Sequence, residues 1–287
     1  MKLEEIYKPI SRELAAVKEN IRQLVKADED SLDGAFEYFY GKPGKFLRPA
    51  AAILSARAVS AGNLSPPAER QLIDLAAAVE LIHSTSLIHD DVIDEETIRR
   101  GRLSMNREYG NKAAVLAGDF LFIKAFTLSL GLPAEIIRLL CEATRQMCTA
   151  EFRALGRVEE LNGDYSAYLK MIEDKTASFF SASCKTGALL AGGRPEEVKS
   201  LAGYGLYLGM AYQIQDDISD GDRLPCEKTS LCLEKYPREA AAGLQVLAPS
   251  VYKEKLEQLL GHICSYTGRK KGGDYAKAEA GINRRRP

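Results

Sequence analysis

Two aspartate clusters, Asp90-Asp91-Val92-Ile93-Asp94 and Asp216-Asp217-Ile218-Ser219-Asp220, interrupt sequence that is otherwise apolar and helical in pattern. Each reads D-D-x-x-D. Residues four apart share one face of a helix, so Asp90 lies beside Asp94 and Asp216 beside Asp220. Carboxylates crowded in this way repel one another and raise each other's pKa unless a cation lies between them. A single acidic cluster is often a solvated helix end. Two copies of one spacing, each closing an apolar helical run, argue against that reading. Oxygen-only donors suit a hard cation, and Mg²⁺ usually shares its coordination between a few carboxylates and substrate phosphates. The chain is therefore constrained to a fold in which two helices face each other across a cation-bridged phosphate ester.

The rest of the sequence supplies the helices. Nearly every long segment has helical rather than alternating periodicity. Leu3, Ile6, Ile10, Leu14, Val17, Ile21 and Leu24 form one stripe over residues 3–26. A short apolar-aromatic run, 31–40, ends in the turn Gly41-Lys42-Pro43-Gly44, and residues 49–61 and 68–92 read as buried helices. Further helices are expected over 111–129, 134–154, 165–191, 195–219 and 237–265, with stops at Gly131-Leu132-Pro133 and Gly192-Gly193-Arg194-Pro195. No strand pair is expected. These features predict an all-α, single-domain helical bundle over residues 1–287, with the aspartates lining a central cavity. The Gly-, Lys- and Arg-rich segment from about 268 to 287 is expected to be a poorly ordered tail.

Composition narrows the partners. An apolar content of 46% suffices for a large core, and a formal net charge of -1 gives no reason to expect nucleic acid. The six cysteines form no C-x-x-C pair and read as reduced thiols, which points to a cytoplasmic protein. The charged start Met1-Lys2-Leu3-Glu4-Glu5 lacks a signal region, and no uninterrupted apolar run is expected to span a membrane.

A phosphorylated ligand also needs cationic donors for the oxygens that a metal leaves free. Lys45 and Arg48 sit in Gly44-Lys45-Phe46-Leu47-Arg48-Pro49, where a turn meets a helix start; Arg99 and Arg100 follow the first aspartate cluster, and Lys175-Thr176 lies among small apolar residues. Glu80-Leu81-Ile82-His83 has the E-x-x-H spacing of a di-iron bundle, but no second copy exists. His89-Asp90 hints at a phosphohydrolase, which needs more histidines than the chain's three. His89 is expected to be a hydrogen-bonded core residue, and His83, two turns before Asp90, to reach the cavity.

Taken in order, Gly44-Lys45 with Arg48-Pro49, the stretch Glu80 to Glu95, Arg99-Arg100-Gly101, Gly118-Asp119-Phe120, Lys175-Thr176 and Tyr212 to Asp220 resemble the trans-type polyprenyl diphosphate synthases. That resemblance covers roughly residues 35–220. It implies a reaction in which an allylic diphosphate ionises, isopentenyl diphosphate attacks the allylic cation, and a proton leaves. It further implies three Mg²⁺ ions, with Asp90, Asp94 and Asp216 as direct ligands and Asp91, Asp217 and Asp220 as further or water-mediated ones. By the same likeness Lys45, Arg48, His83 and Arg100 bind isopentenyl diphosphate. Arg99, Lys175, Thr176 and Gln213 face the allylic diphosphate, the last two with oxygens that stabilise the cation. The departing pyrophosphate serves as the base. A homodimer and, for an apolar product, transient membrane contact are also implied.

The small Thr85 and Ser86, one turn deeper than Asp90, and the wording Leu87 to Glu95 resemble long-chain members, although Phe122 or Phe126 remains a candidate tunnel floor for a C15 or C20 product. The sequence departs from the family at Phe46, where a second basic residue is common, and at Pro43, where Gly is common. After Asp220 it departs more seriously. Gly221 to Leu231 replaces the usual flexible loop and Gly-Lys-x-Thr-Leu-Pro stretch, with Lys228-Thr229 as a possible remnant, and fewer residues than usual come after the second aspartate cluster. That departure keeps open a weakly active or non-catalytic partner subunit of a heteromeric synthase. A terpene cyclase on the same bundle is disfavoured by the intact second cluster together with Lys45, Arg48 and His83.

Overall fold

The structure, a computed structural model, describes residues 1–27, 29–42, 44–155, 165–220 and 229–265, without the side chains of Asp220 and of residues 229–231. The expected tail, Pro43, Cys226 and the departure between 221 and 228 lie outside the described residues.

The N-terminal stripe folds as α1 (Leu3–Tyr7), one 3₁₀ turn (Lys8–Ile10) and α2 (Ser11–Leu24). Pro9, which has no N–H to give an α-helical bond, sits in that turn. Ile6, Ile10, Leu14, Val17 and Ile21 are all buried, as their spacing requires. After α3 (Asp30–Tyr40), α4 (Leu47–Val59) is buried on every side from Leu47 to Ala58, so it forms the centre of the bundle. Helix α5 (Pro66–Ile93) packs against α4, against α2 and, beyond the short α6 (Met105–Tyr109), against α7 (Asn111–Ser129). Then come α8 (Ala134–Leu155), α9 (Tyr165–Ile172), α10 (Ser178–Leu190) and α11 (Pro195–Asp220). The α4–α10 crossing is close: a Cβ on Gly187 would stand 2.2 Å from the Ala52 carbonyl oxygen, so glycine there sets the helix separation.

Helix α5 is long and apolar enough to cross a membrane by length and composition, although Asp74 and Glu80 interrupt its apolar run. Its apolar window is 67% buried inside the bundle, and Leu72, Leu75, Leu81 and Ile88 are fully enclosed. Here apolarity marks a core helix.

Three expectations of secondary structure need correction. A two-stranded antiparallel hairpin, β1 (Ile98–Arg99) with β2 (Arg102–Leu103), turns through Arg100 and Gly101 at φ 54° and 72°. Strands of two residues are too short to show alternation, while the paired positive φ values are those of a tight hairpin turn. The helix expected over 165–191 is divided by a π-helical turn, Glu173–Ala177, between α9 and α10. The helix expected over 237–265 starts earlier and is two helices, α12 (Thr229–Gly243) and α13 (Val251–Cys264), joined through a 3₁₀ turn, Leu244–Val246. Pro249 ends that turn region, and Ser250 caps α13 by accepting a hydrogen bond from the Lys253 N–H at 3.1 Å. Leu244 and Leu247 are buried across the break, which imitates unbroken helical spacing.

Candidate active site

The C-terminal half of α5, the start of α4, the hairpin, the π turn, α8 and α11 enclose a cavity of roughly 1620 Å³. Its lining divides into a basic end, an acidic region and an apolar arm.

At the basic end the cavity is lined by Lys45, Arg48, His83 and Arg100, as expected. Arg48 is only 8% exposed, lies 4.3 Å over the Phe180 ring and has Nη1 3.0 Å from His83 Nε2. A guanidinium can only donate, so Nε2 is the accepting nitrogen of a neutral imidazole. Burial, then Arg48, Arg100 and Arg99, hold His83 well below the usual imidazole range, in agreement with that assignment. Arg48 Nε is buried with no hydrogen-bond partner, a donor left for an anion. Arg100 Nη1 donates to the Lys42 carbonyl at 2.7 Å and Lys42 Nζ donates to the Arg100 carbonyl at 3.2 Å, fixing the hairpin to the turn before α4. Gly44 lies against the same guanidinium: a Cβ there would stand 2.8 Å from Arg100 Nη2 and displace it.

The acidic region draws on two helices. Asp90 in the last turn of α5, Asp94 at its C-cap, and Asp216 and Asp217 on α11 line the same cavity. Burial pushes the Asp90 carboxyl up to about 6; Glu151 and Asp94 add to this, while Lys175 and Arg99 oppose it. Asp91 does not line the cavity. It is 1% exposed and accepts from Arg99 Nε at 2.7 Å and from Arg99 Nη2, so it holds the guanidinium that does line the cavity. The Asp220 side chain lies outside the described residues.

The π turn brings Lys175 and Thr176 to the same region. Lys175 pairs with Glu151 of α8; burial works against its charge, but Asp90 and Glu151 outweigh it. Thr176 Oγ1 donates to Gln213 Oε1 at 2.8 Å, and Gln213 Nε2 donates to Asp217 Oδ1 at 2.7 Å. The Tyr168 hydroxyl donates to Asp217 Oδ2 at 2.6 Å. Because the Thr176 hydrogen is committed to Gln213, its oxygen lone pairs are available to an electron-poor centre in the cavity.

Beyond the aspartates an apolar arm runs between α5, α7 and α8, lined by Thr85, Phe122, Thr144, Met147 and Cys148. His89 is half-buried and lines the cavity instead of sitting in the core; its Nε2 lies 3.2 Å from the Val115 carbonyl oxygen. Glu151 and Tyr168 carry no sequence signal that places them here. Glu80 is visible in its E-x-x-H spacing with His83, on the same helical face, although that spacing suggests a di-iron site and not this role.

Among the described residues no three His, Cys, Asp or Glu side chains form a complete metal cage. Two sets of carboxylate oxygens from two helices suit Mg²⁺ that completes its coordination with phosphate oxygens.

Comparison with known proteins agrees with this geometry. The family model described as polyprenyl synthetase matches residues 29–225. Octaprenyl diphosphate synthase of Escherichia coli (strain K12) is 35% identical over 230 residues, covering 78% of this chain and 69% of that protein. Short chain isoprenyl diphosphate synthase of Methanothermobacter thermautotrophicus is 36% identical over 208 residues, covering 70% and 62%. Among solved structures, polyprenyl synthase of Caulobacter crescentus CB15, in complex with calcium and isoprenyl diphosphate, superposes with a TM-score of 0.84 at 26% identity over 93% of this chain and 98% of that one. With its all-α fold and its two-sided cavity, the chain belongs to the polyprenyl synthetase family of prenyl transferases.

Proposed function

We propose that this protein condenses isopentenyl diphosphate with an allylic prenyl diphosphate to give a long-chain, all-trans polyprenyl diphosphate. The observation that carries this reading is one cavity with a basic end built around the buried Arg48, aspartates from two helices and an apolar arm. Lys45, Arg48, His83 and Arg100 take the isopentenyl diphosphate. Asp90, Asp94, Asp216, Asp217 and Asp220 hold Mg²⁺, three ions by family likeness, against the allylic diphosphate, and Arg99 and Lys175 neutralise its remaining charge. The bound metal supplies the positive charge that makes pyrophosphate a good leaving group. Oxygens of Thr176 and Gln213 face the allylic carbon as its C–O bond breaks, stabilising positive charge in a site that limits water. The double bond of isopentenyl diphosphate then forms the new C–C bond, and the proton lost goes to the departing pyrophosphate.

Product length follows the apolar arm. Thr85 and Ser86 are small, so they do not close it. Phe122 lines the arm and meets Phe126 edge-on at 4.8 Å between centroids, so it is the side chain to remove if the product proves short. The test is to incubate the protein with Mg²⁺, labelled isopentenyl diphosphate and farnesyl or geranylgeranyl diphosphate, then size the products. Chains of about thirty carbons or more are expected. A stop at fifteen or twenty carbons, released by Phe122→Ala, assigns a short-chain enzyme. No condensation with any primer assigns a partner subunit and contradicts the proposal.

Assembly as a homodimer is supported by Leu116 and Ile123 of α7 and Leu130 at its C-cap, which recur every seven residues at 67%, 62% and 80% exposure. Sedimentation of a Leu116→Glu, Ile123→Glu double variant is expected to show monomer where the parent shows dimer; a monomeric parent contradicts it. Release of an apolar product suggests transient membrane contact for a protein otherwise placed in the cytoplasm. Liposome co-sedimentation with product bound tests it, and no association contradicts it. The free thiols of the five described cysteines accord with a reducing compartment.

A further inference from the structure

The basic end contains one acidic side chain that the proposed chemistry does not use. Glu80 lines the cavity one turn before His83 and is 4% exposed. A carboxylate is an unexpected wall for a diphosphate pocket, because its charge opposes the ligand. Its surroundings are almost wholly cationic or neutral donors, contributed by every element that meets there. Arg48 faces it from α4, Arg100 from the hairpin turn and Lys18 from α2, all acting to keep it ionised. The Gly44 turn brings its Oε1 and Arg100 Nη2 within contact of one point, 3.7 Å and 2.8 Å from a Cβ placed on Gly44. Tyr7, whose hydroxyl donates to the Lys45 carbonyl at 2.9 Å, and Tyr40 of α3 also feel its charge. His83 is its own-helix neighbour, and α10 presents the Phe179 and Phe180 rings to Arg48.

We propose that Glu80 is the resident counter-ion of the isopentenyl diphosphate pocket, neutralising Arg48 and Arg100 in the empty enzyme and taking up a proton when the diphosphate replaces it. The proposal rests on the reading of this pocket as the isopentenyl diphosphate site and adds a residue and a linkage to it.

Electrostatics explain why the exchange falls on this side chain. The buried Arg48 and the solvent-exposed Arg100 each feel the charge of Glu80, and an ionised carboxylate there offsets theirs while no anion is bound. A diphosphate in the same place brings negative charge and supplies the acceptors the arginines need. The carboxylate then becomes a like charge beside the ligand, and protonation removes that cost. None of the other facing groups changes charge near neutrality. Burial and the neighbouring arginines hold His83 neutral, burial keeps Tyr7 and Tyr40 protonated, and arginines remain cationic. Glu80 alone is poised there, pushed up to about 7 by burial against the pull of Arg48, Arg100 and Lys18. Its ionised form in the free enzyme is populated above about pH 7, so proton uptake on binding grows as pH rises past that point.

The experiment is calorimetric titration of isopentenyl diphosphate into the full chain, without an allylic substrate, in two buffers of different ionisation enthalpy. It is run from about pH 6 to about pH 8, on the parent protein and on Glu80→Gln. The parent is expected to take up close to one more proton than Glu80→Gln near pH 8 and about none more near pH 6. Its affinity is expected to weaken by about three- to tenfold relative to Glu80→Gln across that range, since uptake of one proton lowers affinity about tenfold for each rise of one in pH. The ligand's own ionisation is common to both proteins and cancels. Should Glu80→Gln fail to fold, Glu80→Ala serves as the reference protein for the same difference. Binding by both proteins with equal uptake at every pH, or flat uptake in the parent, overturns the proposal alone. Absence of binding by either protein overturns the reading of the pocket and the proposal with it.

Discussion

The two charged parts of the cavity are built differently. The basic end is assembled by the protein itself: Arg48 bonds to His83 and stacks on Phe180, Arg100 is tied to Lys42, and Glu80 supplies a buried counter-charge. Its groups come from elements that already touch. In the acidic region the carboxylates come from two helices, Asp90 is pushed towards its protonated form by burial, and the described side chains form no complete cage. Asp217 is oriented by Tyr168 and Gln213, both on its own side of the cavity, while Asp90 and Asp94 stand on the α5 wall. One end is thus organised for its ligand in advance, and the other waits for cation and phosphate to finish it.

The largest effect expected from this contrast comes from breaking the acidic end. Asp90→Ala, or chelation of Mg²⁺, is expected to lower kcat by about a hundred- to a thousandfold or more, while isopentenyl diphosphate still binds. Steady-state kinetics with parallel equilibrium binding check both halves. Next comes the basic end. Arg48→Met removes a buried donor of charge-assisted bonds and leaves His83 Nε2 without its partner, so KM for isopentenyl diphosphate is expected to rise by about ten- to a hundredfold. Metal-dependent binding of the allylic substrate is expected to survive that change, and its loss contradicts the separation of the two ends. Smallest is Thr176→Val, which keeps the shape and removes one cation-facing oxygen. A fall in kcat of about tenfold with little change in either KM is expected, read from initial rates at saturating substrates.

Much of this site was legible because its chemistry demands rigid spacing. The i and i+4 carboxylates of Asp90 with Asp94 fall on the cavity wall because α5 runs unbroken to Ile93, and Lys45 and Arg48 lie where a turn feeds α4. The features that escaped depend on side-chain direction or on irregular backbone. Asp91 shares the motif of Asp90, yet the turn of about 100° between neighbours sends its carboxylate to Arg99 and not into the cavity. The π turn that sets Lys175 and Thr176 has no compositional mark, and the hairpin that aims Arg99 and Arg100 is shorter than any periodic signal. Glu80 stands in a visible E-x-x-H spacing that suggests only a di-iron site; its burial among arginines is a tertiary fact. The break between α12 and α13 is hidden because Leu244 and Leu247 continue the core beyond the end of the helix.

The central claim, one end preformed and one end completed by metal, is tested most directly by measuring the binding of two ligands with and without Mg²⁺. Isopentenyl diphosphate and a non-ionising thio analogue of the allylic diphosphate are titrated separately into the protein, once with Mg²⁺ and once with chelator. The account predicts that the allylic analogue loses at least about a hundredfold in affinity on chelation, whereas isopentenyl diphosphate changes by less than about threefold. Equal dependence of both ligands on Mg²⁺, or tight metal-free binding of the allylic analogue, would contradict it.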